Sequence, residues 1–215
     1  MTLSLSGWQK RVLLALTGIA VLALFALAFT AGRVSSGPSY PGTTSPDAGF
    51  ARDMQVHHNQ AVEMSMIVRD NITDETLRSI AYDIALTQQQ QAGQMYAWLE
   101  EWGLDQSSAQ PRMEWMTGAG HGGMGMGADT ASMPPEGLMP GMATGAQLDE
   151  LRAARGEDAE RLYLNLMINH HEAGVDMAQA GADLAGTEQV RTLATKIQSG
   201  QQAEITLMQN MLDAL

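Results

Sequence analysis

From residue 47 onward, apolar positions recur at alternating three- and four-residue steps, the period of helices lying on a core. Phe50, Met54, His57, Ala61, Met64 and Val68 share one face of a first helix, expected over about 47–70. Leu77, Ala81, Ile84, Gln88, Gln91 and Met95, continued by Leu99 and Trp102, form the inner seam of a second. Tyr163, Met167, His170, Gly174 and Met177 mark a third over about 157–185, and Val190, Ala194, Ile197, Gln201, Glu204 and Met208 a fourth. The ends carry matching signals. Ser45 suits an N-cap before Pro46 and Asp47; Thr73 or Asp74 opens the second helix and Gly103 stops it; Gly186 ends the third, and Thr187 or Glu188 begins the fourth. Thr144-x-x-Gln147 reads as a capping box opening a short helix to Arg155. No stretch alternates at strand period. Two hairpins that each bury one face predict an all-α four-helix bundle with pseudo-twofold symmetry.

The two hairpins are copies. Met54-Gln55-Val56-His57-His58-Asn59-Gln60-Ala61-Val62-Glu63-Met64 recurs as Met167-Ile168-Asn169-His170-His171-Glu172-Ala173-Gly174-Val175-Asp176-Met177. At a constant offset of 113, residues 50–102 align with 163–215 without a gap, and 14 of the 53 positions are identical. Unrelated segments would match at roughly 5–8% of positions from ordinary residue usage. The chain thus carries an internal duplication, with four of its five histidines at the centre of the copies.

Outside the bundle the pattern changes. Lys10-Arg11 precedes an uncharged, mostly apolar run from Val12 to Ala31, long enough as a helix to cross a bilayer, with the basic pair predicting a cytoplasmic start. The run exceeds the usual signal-peptide core, which favours an uncleaved anchor over a signal cleaved near Ala28–Ala31. The expected organisation is an anchor at 1–31, a Gly/Ser/Pro/Thr tether at 32–46 and a bundle at 47–215. The bundle divides into repeat 1 at 47–103, a methionine-rich linker at 104–143, and the short helix with repeat 2 at 144–215. The extracytoplasmic part carries a net charge of −15, from 9 basic and 24 acidic residues, which argues against nucleic acid and favours cations. Cysteine is absent, so soft-metal binding falls to the histidines and to the 16 methionines.

Candidate ligands follow from spacing. Met54 with His57, and Met167 with His170, are i,i+3 neighbours, while Met64 and Met177 lie about two turns further along the same faces. On the helical wheel His57 and His170 point inward, and His58 and His171 flank them. Thioether plus imidazole favours Cu(I), with Ag(I) as its mimic, over zinc; the Glu-x-x-His of di-iron bundles is missing. Gln88, Gln91, Gln201 and Glu204 are placed to hydrogen-bond imidazole N–H groups, or else the seam is solvated there. In the linker, His121, Met124 and Met126 form a flexible cluster with Met113, Met116, Met133, Met139 and Met142 around them; the plain alternative is a loop packed on the bundle. Met95, Met208 and Met211 read as core, and Glu63 and Asp176 as surface charges.

These motifs resemble the domain of unknown function family 305, whose hallmark is a repeated M-x-x-H-H-x-x-A-V-x-M helix followed by L-x-x-x-A-x-x-I-x-x-x-Q. Here they stand as Met54–Met64 with Leu77–Gln88, and Met167–Met177 with Val190–Gln201. Gly174 replaces the family alanine and Val190 the leucine. The resemblance covers about 47–215 and implies a ferritin-like four-helix fold, export, and similarity to members that are periplasmic copper-binding proteins using Met and His. The resulting expectation is a membrane-tethered extracytoplasmic protein that sequesters Cu(I) or Cu(II), or transfers it to a partner protein. Its ligands are drawn from Met54, His57, His58, Met64, Met167, His170, His171, Met177, His121, Met124 and Met126. Copper binding through histidine should then weaken below about pH 6.5. A b-type haem bundle and a metal-free envelope module are the alternatives; catalysis is not expected, for want of a nucleophile–base pair.

Overall fold

The computed structural model describes residues 6–35, 39–117 and 137–215, with side chains described from 6 to 30 in the first stretch. Six α-helices occur among them: α1 Gly7–Ser35, α2 Pro46–Asn71, α3 Glu75–Glu101, α4 Gly145–Ala153, α5 Glu157–Leu184 and α6 Glu188–Ala214, with a 3₁₀ turn at Glu114–Met116. No strand occurs among the described residues. The chain divides into two compact units, Met1–Tyr40 and Pro41–Leu215.

The first unit is α1, whose stretch Gly7–Thr30 is long and apolar enough to cross a membrane and whose large apolar side chains are exposed. The helix continues to Ser35, past the boundary of 31 expected from hydropathy. Once a helix propagates, one small or polar residue costs less than about 1 kcal/mol and does not by itself end it. The tether is correspondingly shorter. Its last residues belong to the bundle, because Arg52 donates to the Thr43 carbonyl at 2.7 Å and to the Thr43 hydroxyl at 3.0 Å.

The second unit is the four-helix bundle. Hairpin one is α2 with α3, hairpin two α5 with α6, and α2 packs against α5 between them. The capping signals work as read. Ser45 accepts from the Ala48 N–H with Pro46 at the first helical position, Asp74 accepts from Leu77, and Thr144 and Gln147 form a complete capping box. Thr187 differs: its hydroxyl does not cap α6. It donates instead to the buried Asp47 carboxylate, which also accepts the N–H groups of Gly186 and Thr187 at 2.8 and 2.9 Å. At the equivalent position, Glu160 faces the backbone N–H of Asp74. Each hairpin's first helix therefore staples the turn of the other hairpin.

The core has two apolar clusters. One gathers Phe50, Met54, Met95, Leu99, Trp115, Met139, Met177 and Val190; the other gathers Met64, Val68, Leu77, Ile84, Tyr163, Leu164, Met167 and Met208. Along α2 and α5 the two clusters are separated by His57-His58 and His170-His171. The methionine positions cross over: Met54 of one copy shares a cluster with Met177 of the other, and Met64 with Met167.

The described parts of the linker are packed, which corrects the reading of its outer methionines as a flexible ligand cluster. Met139 is fully buried, and Met113, Met116 and Met142 pack against the same cluster. Asp53 accepts from the Met113 N–H at 2.8 Å and the Trp115 indole at 2.9 Å, so residues around 113–116 are fixed on α2. Gln60 holds the other end through paired bonds to the Ala143 backbone, 2.9 Å to its carbonyl and 2.7 Å from its N–H. His121, Met124, Met126 and Met133 lie outside the described residues.

Candidate metal centre

The centre is a polar layer across the middle of an apolar bundle. His57 and His58 stand on α2, His170 and His171 on α5, and all four are fully buried. The helical wheel placed His58 and His171 at the edge of the inner face, yet they are as buried as the inner pair, because α3 and α6 cover them. His58 Nε2 lies 2.8 Å from Gln91 Oε1 on α3, and His171 Nε2 lies 2.7 Å from Glu204 Oε2 on α6. The expected link between seam residues and imidazoles is thus found at Gln91 and Glu204. Gln88 and Gln201 are buried with neither amide atom bonded among the described residues, so they do not orient the histidines.

The inner histidines meet across the hairpins. Their ring centroids are 3.7 Å apart at an interplanar angle of 31°, and His170 Nε2 lies 3.0 Å from the His57 carbonyl. The two rings face each other as expected, but they stack. Imidazole lone pairs lie in the ring plane, so stacked rings offer their nitrogens side by side and do not point them at a shared ion.

Hydrogen bonding fixes the tautomers. A carbonyl or carboxylate oxygen only accepts, so Nε2 donates in His58, His170 and His171, and Nδ1 is left as the other ring atom. Nδ1 is buried without a hydrogen-bond partner in all three, and neither nitrogen of His57 has one; the Pro140 carbonyl acts on His57 without reaching full hydrogen-bond geometry. Burial lowers the pKa of His57 to about 3, helped by the neighbouring His58, and that of His58 to about 3. It also puts His170 well below its ordinary value, with His57 and His171 adding to the effect. His57, His58 and His170 are therefore neutral rings at pH 7, each with a free lone pair. Buried unpaired nitrogens are costly, at about 1–3 kcal/mol each, unless a ligand or water completes them.

Thioethers flank the layer on both sides. Met54, Met95, Met139 and Met177 are buried toward one end, Met64, Met167 and Met208 toward the other. Among the described residues no three His, Asp or Glu side chains are gathered as a metal cluster. The buried thioethers are further donors available to a metal in this layer. Glu63 and Asp176 are exposed, and Glu63 pairs with Arg152.

Sequence reasoning missed the cover over this layer. Gly141, at φ +75°, crosses α5 so closely that a Cβ there would lie 2.6 Å from the Ala173 Cβ and 3.1 Å from the His170 Cα. Only glycine fits such an approach in that backbone region. The glycine was visible in the sequence, but nothing local tied it to residue 170. Gln91, the hydrogen-bond partner of His58, also lines an open surface cleft of about 690 Å³ with Trp98, Glu188 and Lys196.

An all-α bundle of two helical hairpins around a buried histidine layer is the class of protein that this fold and site define. The chain belongs to the family called domain of unknown function 305 (DUF305), whose model matches residues 47–212. It resembles the crystal structure of a DUF305 protein from Streptomyces coelicolor, described as secreted, at 44% identity and TM-score 0.70, over 80% of this chain and 95% of that one. A DUF305 fragment from Deinococcus radiodurans is 30% identical with TM-score 0.63, over 83% and 100%. CopM in its Cu(II)-bound form is 22% identical with TM-score 0.56, over 79% of this chain and 97% of that one, and shares the fold. No curated protein matches the chain.

Proposed function

We propose that this protein is an extracytoplasmic, membrane-tethered copper binder that sequesters or transfers the ion through methionine and histidine, and that it is a carrier, with no catalytic step. The observation that carries this reading is a layer of four buried imidazoles, each with at least one ring nitrogen without a partner, lying between two groups of buried thioethers. That donor set is soft to borderline and suits copper, Cu(I) above all. His57 with Met54, and His170 with Met167, are the pairs nearest in sequence; His58, His171, Met64 and Met177 complete the candidate ligands. His121, Met124 and Met126 would extend capture into the linker. CopM, which shares the fold, has Cu(II)- and Cu(I)-bound forms, and this supports the choice of metal. The apolar helix α1 supports the tether, although a signal peptide has the same character.

The haem alternative is less well supported. Two histidines ligating one haem must stand on opposite sides of the macrocycle, whereas the His57 and His170 rings stack at 3.7 Å with no space between them.

Competition titrations of the purified chain test the proposal. Cu(I) and Ag(I) should bind more tightly than Zn(II). The double variant H57Q/H170Q and the double variant H58Q/H171Q should each lower the number of ions bound. Zinc preferred over Cu(I), or stoichiometry unchanged in both variants, would reject it. The low histidine pKa values also revise the expected pH dependence: proton competition at His57 and His58 begins near pH 3, so copper affinity there should be nearly flat between pH 7 and 5.

A further inference from the structure

We infer that the two outer histidines differ in the ionic charge they accept, with Glu204 selecting a divalent ion at His171 and Gln91 leaving His58 to a monovalent one. This rests on the copper reading above. Positions 91 and 204 are equivalents at the offset of 113, on the same register of α3 and α6. Each accepts from the Nε2 of its own hairpin's outer histidine, at 2.8 and 2.7 Å, and each of those histidines has Nδ1 buried and unpartnered. Shape and direction are therefore alike, but Gln91 offers a neutral amide and Glu204 a carboxylate.

In a buried layer that difference matters twice. A carboxylate accepting the Nε2–H increases electron density on the imidazole and makes its Nδ1 a stronger donor. It also supplies a negative charge against the incoming ion where water screens little; Glu204 has a side-chain exposure of 28%, while His171 has 0%. A Cu(II) ion among neutral imidazoles and thioethers keeps both positive charges uncompensated, and Glu204 offsets one. A Cu(I) ion needs less compensation, and the neutral Gln91 partner of His58 supplies none.

The test uses the full-length chain and two near-isosteric exchanges. Cu(II) affinity is measured by chelator competition with the EPR signal as readout, and Cu(I) affinity by anaerobic competition with a chromophoric chelator. E204Q should weaken the tightest Cu(II) site 10- to 100-fold, the range for outer partners of metal-bound histidine, while Cu(I) affinity changes less than threefold. Q91E should add a second tight Cu(II) site. Equal losses for both oxidation states in E204Q, or no loss in either, overturn the inference, as does a wild type that binds Cu(I) and ignores Cu(II). A wild type that binds neither ion refutes the copper reading itself. Should E204Q not fold, as judged by circular dichroism, Q91E decides the question alone: no new Cu(II) site overturns the inference.

Discussion

The two ends of the bundle solve the same packing problem differently. At one end Phe50 of α2 lies against Gly181 of α5, and Trp115 from the linker meets its ring edge-on at 5.8 Å. At the other end the equivalent residue is Tyr163 of α5, fully buried, whose hydroxyl lies 3.0 Å from the Ser65 hydroxyl of α2. The first end recruits the linker, with Gly181 making room for the Phe50 ring and the Trp115 indole donating to Asp53. The second places Val68 where the first has Gly181 and pairs its two buried hydroxyls with each other. Between them the histidine layer is nearly the same in both copies. The buried polar centre thus stays alike while the apolar ends have diverged, as expected if the centre carries the chemistry and the ends need only fill space.

Charging the shared histidine layer should destabilise both ends together, and this is the largest effect expected. His57 and His58 have folded pKa values of about 3 against 6.5 in an unfolded chain. Below pH 6.5 the unfolded state binds more protons, so stability falls as pH falls and levels off only near the folded value. The slope is about 1.4 kcal/mol per histidine per pH unit, so this pair alone costs about 5 kcal/mol between pH 6.5 and 4.5. That is comparable with the whole stability of a small domain. Asp53 and Glu160 oppose it, since burial raises both and they take up protons in the folded state first. Urea unfolding of metal-free protein at pH 7, 5.5 and 4.5 should show the steep loss, and H58Q should reduce the slope. A flat profile would mean that these rings are not buried and neutral.

The bundle was legible because each level of signal agreed with the next. The 3.6-residue period, the caps at Ser45, Asp74 and Thr144, and the repeated motif fixed helix ends to within about two residues. The inward direction of His57 and His170 followed from the same wheel. The stacking of their rings could not, because it depends on how α2 crosses α5, which no local pattern encodes. The burial of His58 and His171 was missed for a related reason. A wheel ranks positions about one axis, and a helix with neighbours on two sides buries two faces. Met139 and Gln60 were invisible as structural residues because their partners lie far away in sequence: Gln60 meets the backbone of residue 143, and Met139 joins a cluster built on residues 48–54. Thr187 looked like a cap and instead serves as one arm of the Asp47 staple.

Gly181 and Gly174 sharpen the contrast between rigid and yielding neighbours. A Cβ on Gly181 would lie 2.5 Å from the Phe50 ring, which cannot move without disturbing Trp115. G181A should therefore destabilise by about 1–3 kcal/mol, even after the better helix propensity of alanine. A Cβ on Gly174 would lie 2.2 Å from Gln201 Oε1, the far end of a flexible side chain. The equivalent Ala61 already carries a Cβ in the same register. G174A should therefore stay within about 1 kcal/mol of wild type, since the amide can turn aside. Denaturant midpoints measured in parallel decide this, and equal losses for the two variants would show that Gln201 is held as rigidly as Phe50.

The smallest effect lies in the single polar contact that distinguishes the Tyr163 end. Y163F deletes the phenol hydroxyl and leaves the buried Ser65 hydroxyl without that partner. The loss should be about 1 kcal/mol, the usual net worth of a buried neutral hydrogen bond. Ser65 can recover part of it by bonding back to a carbonyl of its own helix, as serine does in helix interiors. S65A alone strands the tyrosine hydroxyl instead, which has no helix backbone within its own reach, so S65A should cost more than Y163F. The double variant S65A/Y163F removes both hydroxyls and should lie closer to wild type than the sum of the single changes. Thermal unfolding of the four proteins completes the cycle. Strict additivity would mean that the two hydroxyls do not bond in solution, and that the chemical difference between the ends is in the Phe50/Gly181 packing alone.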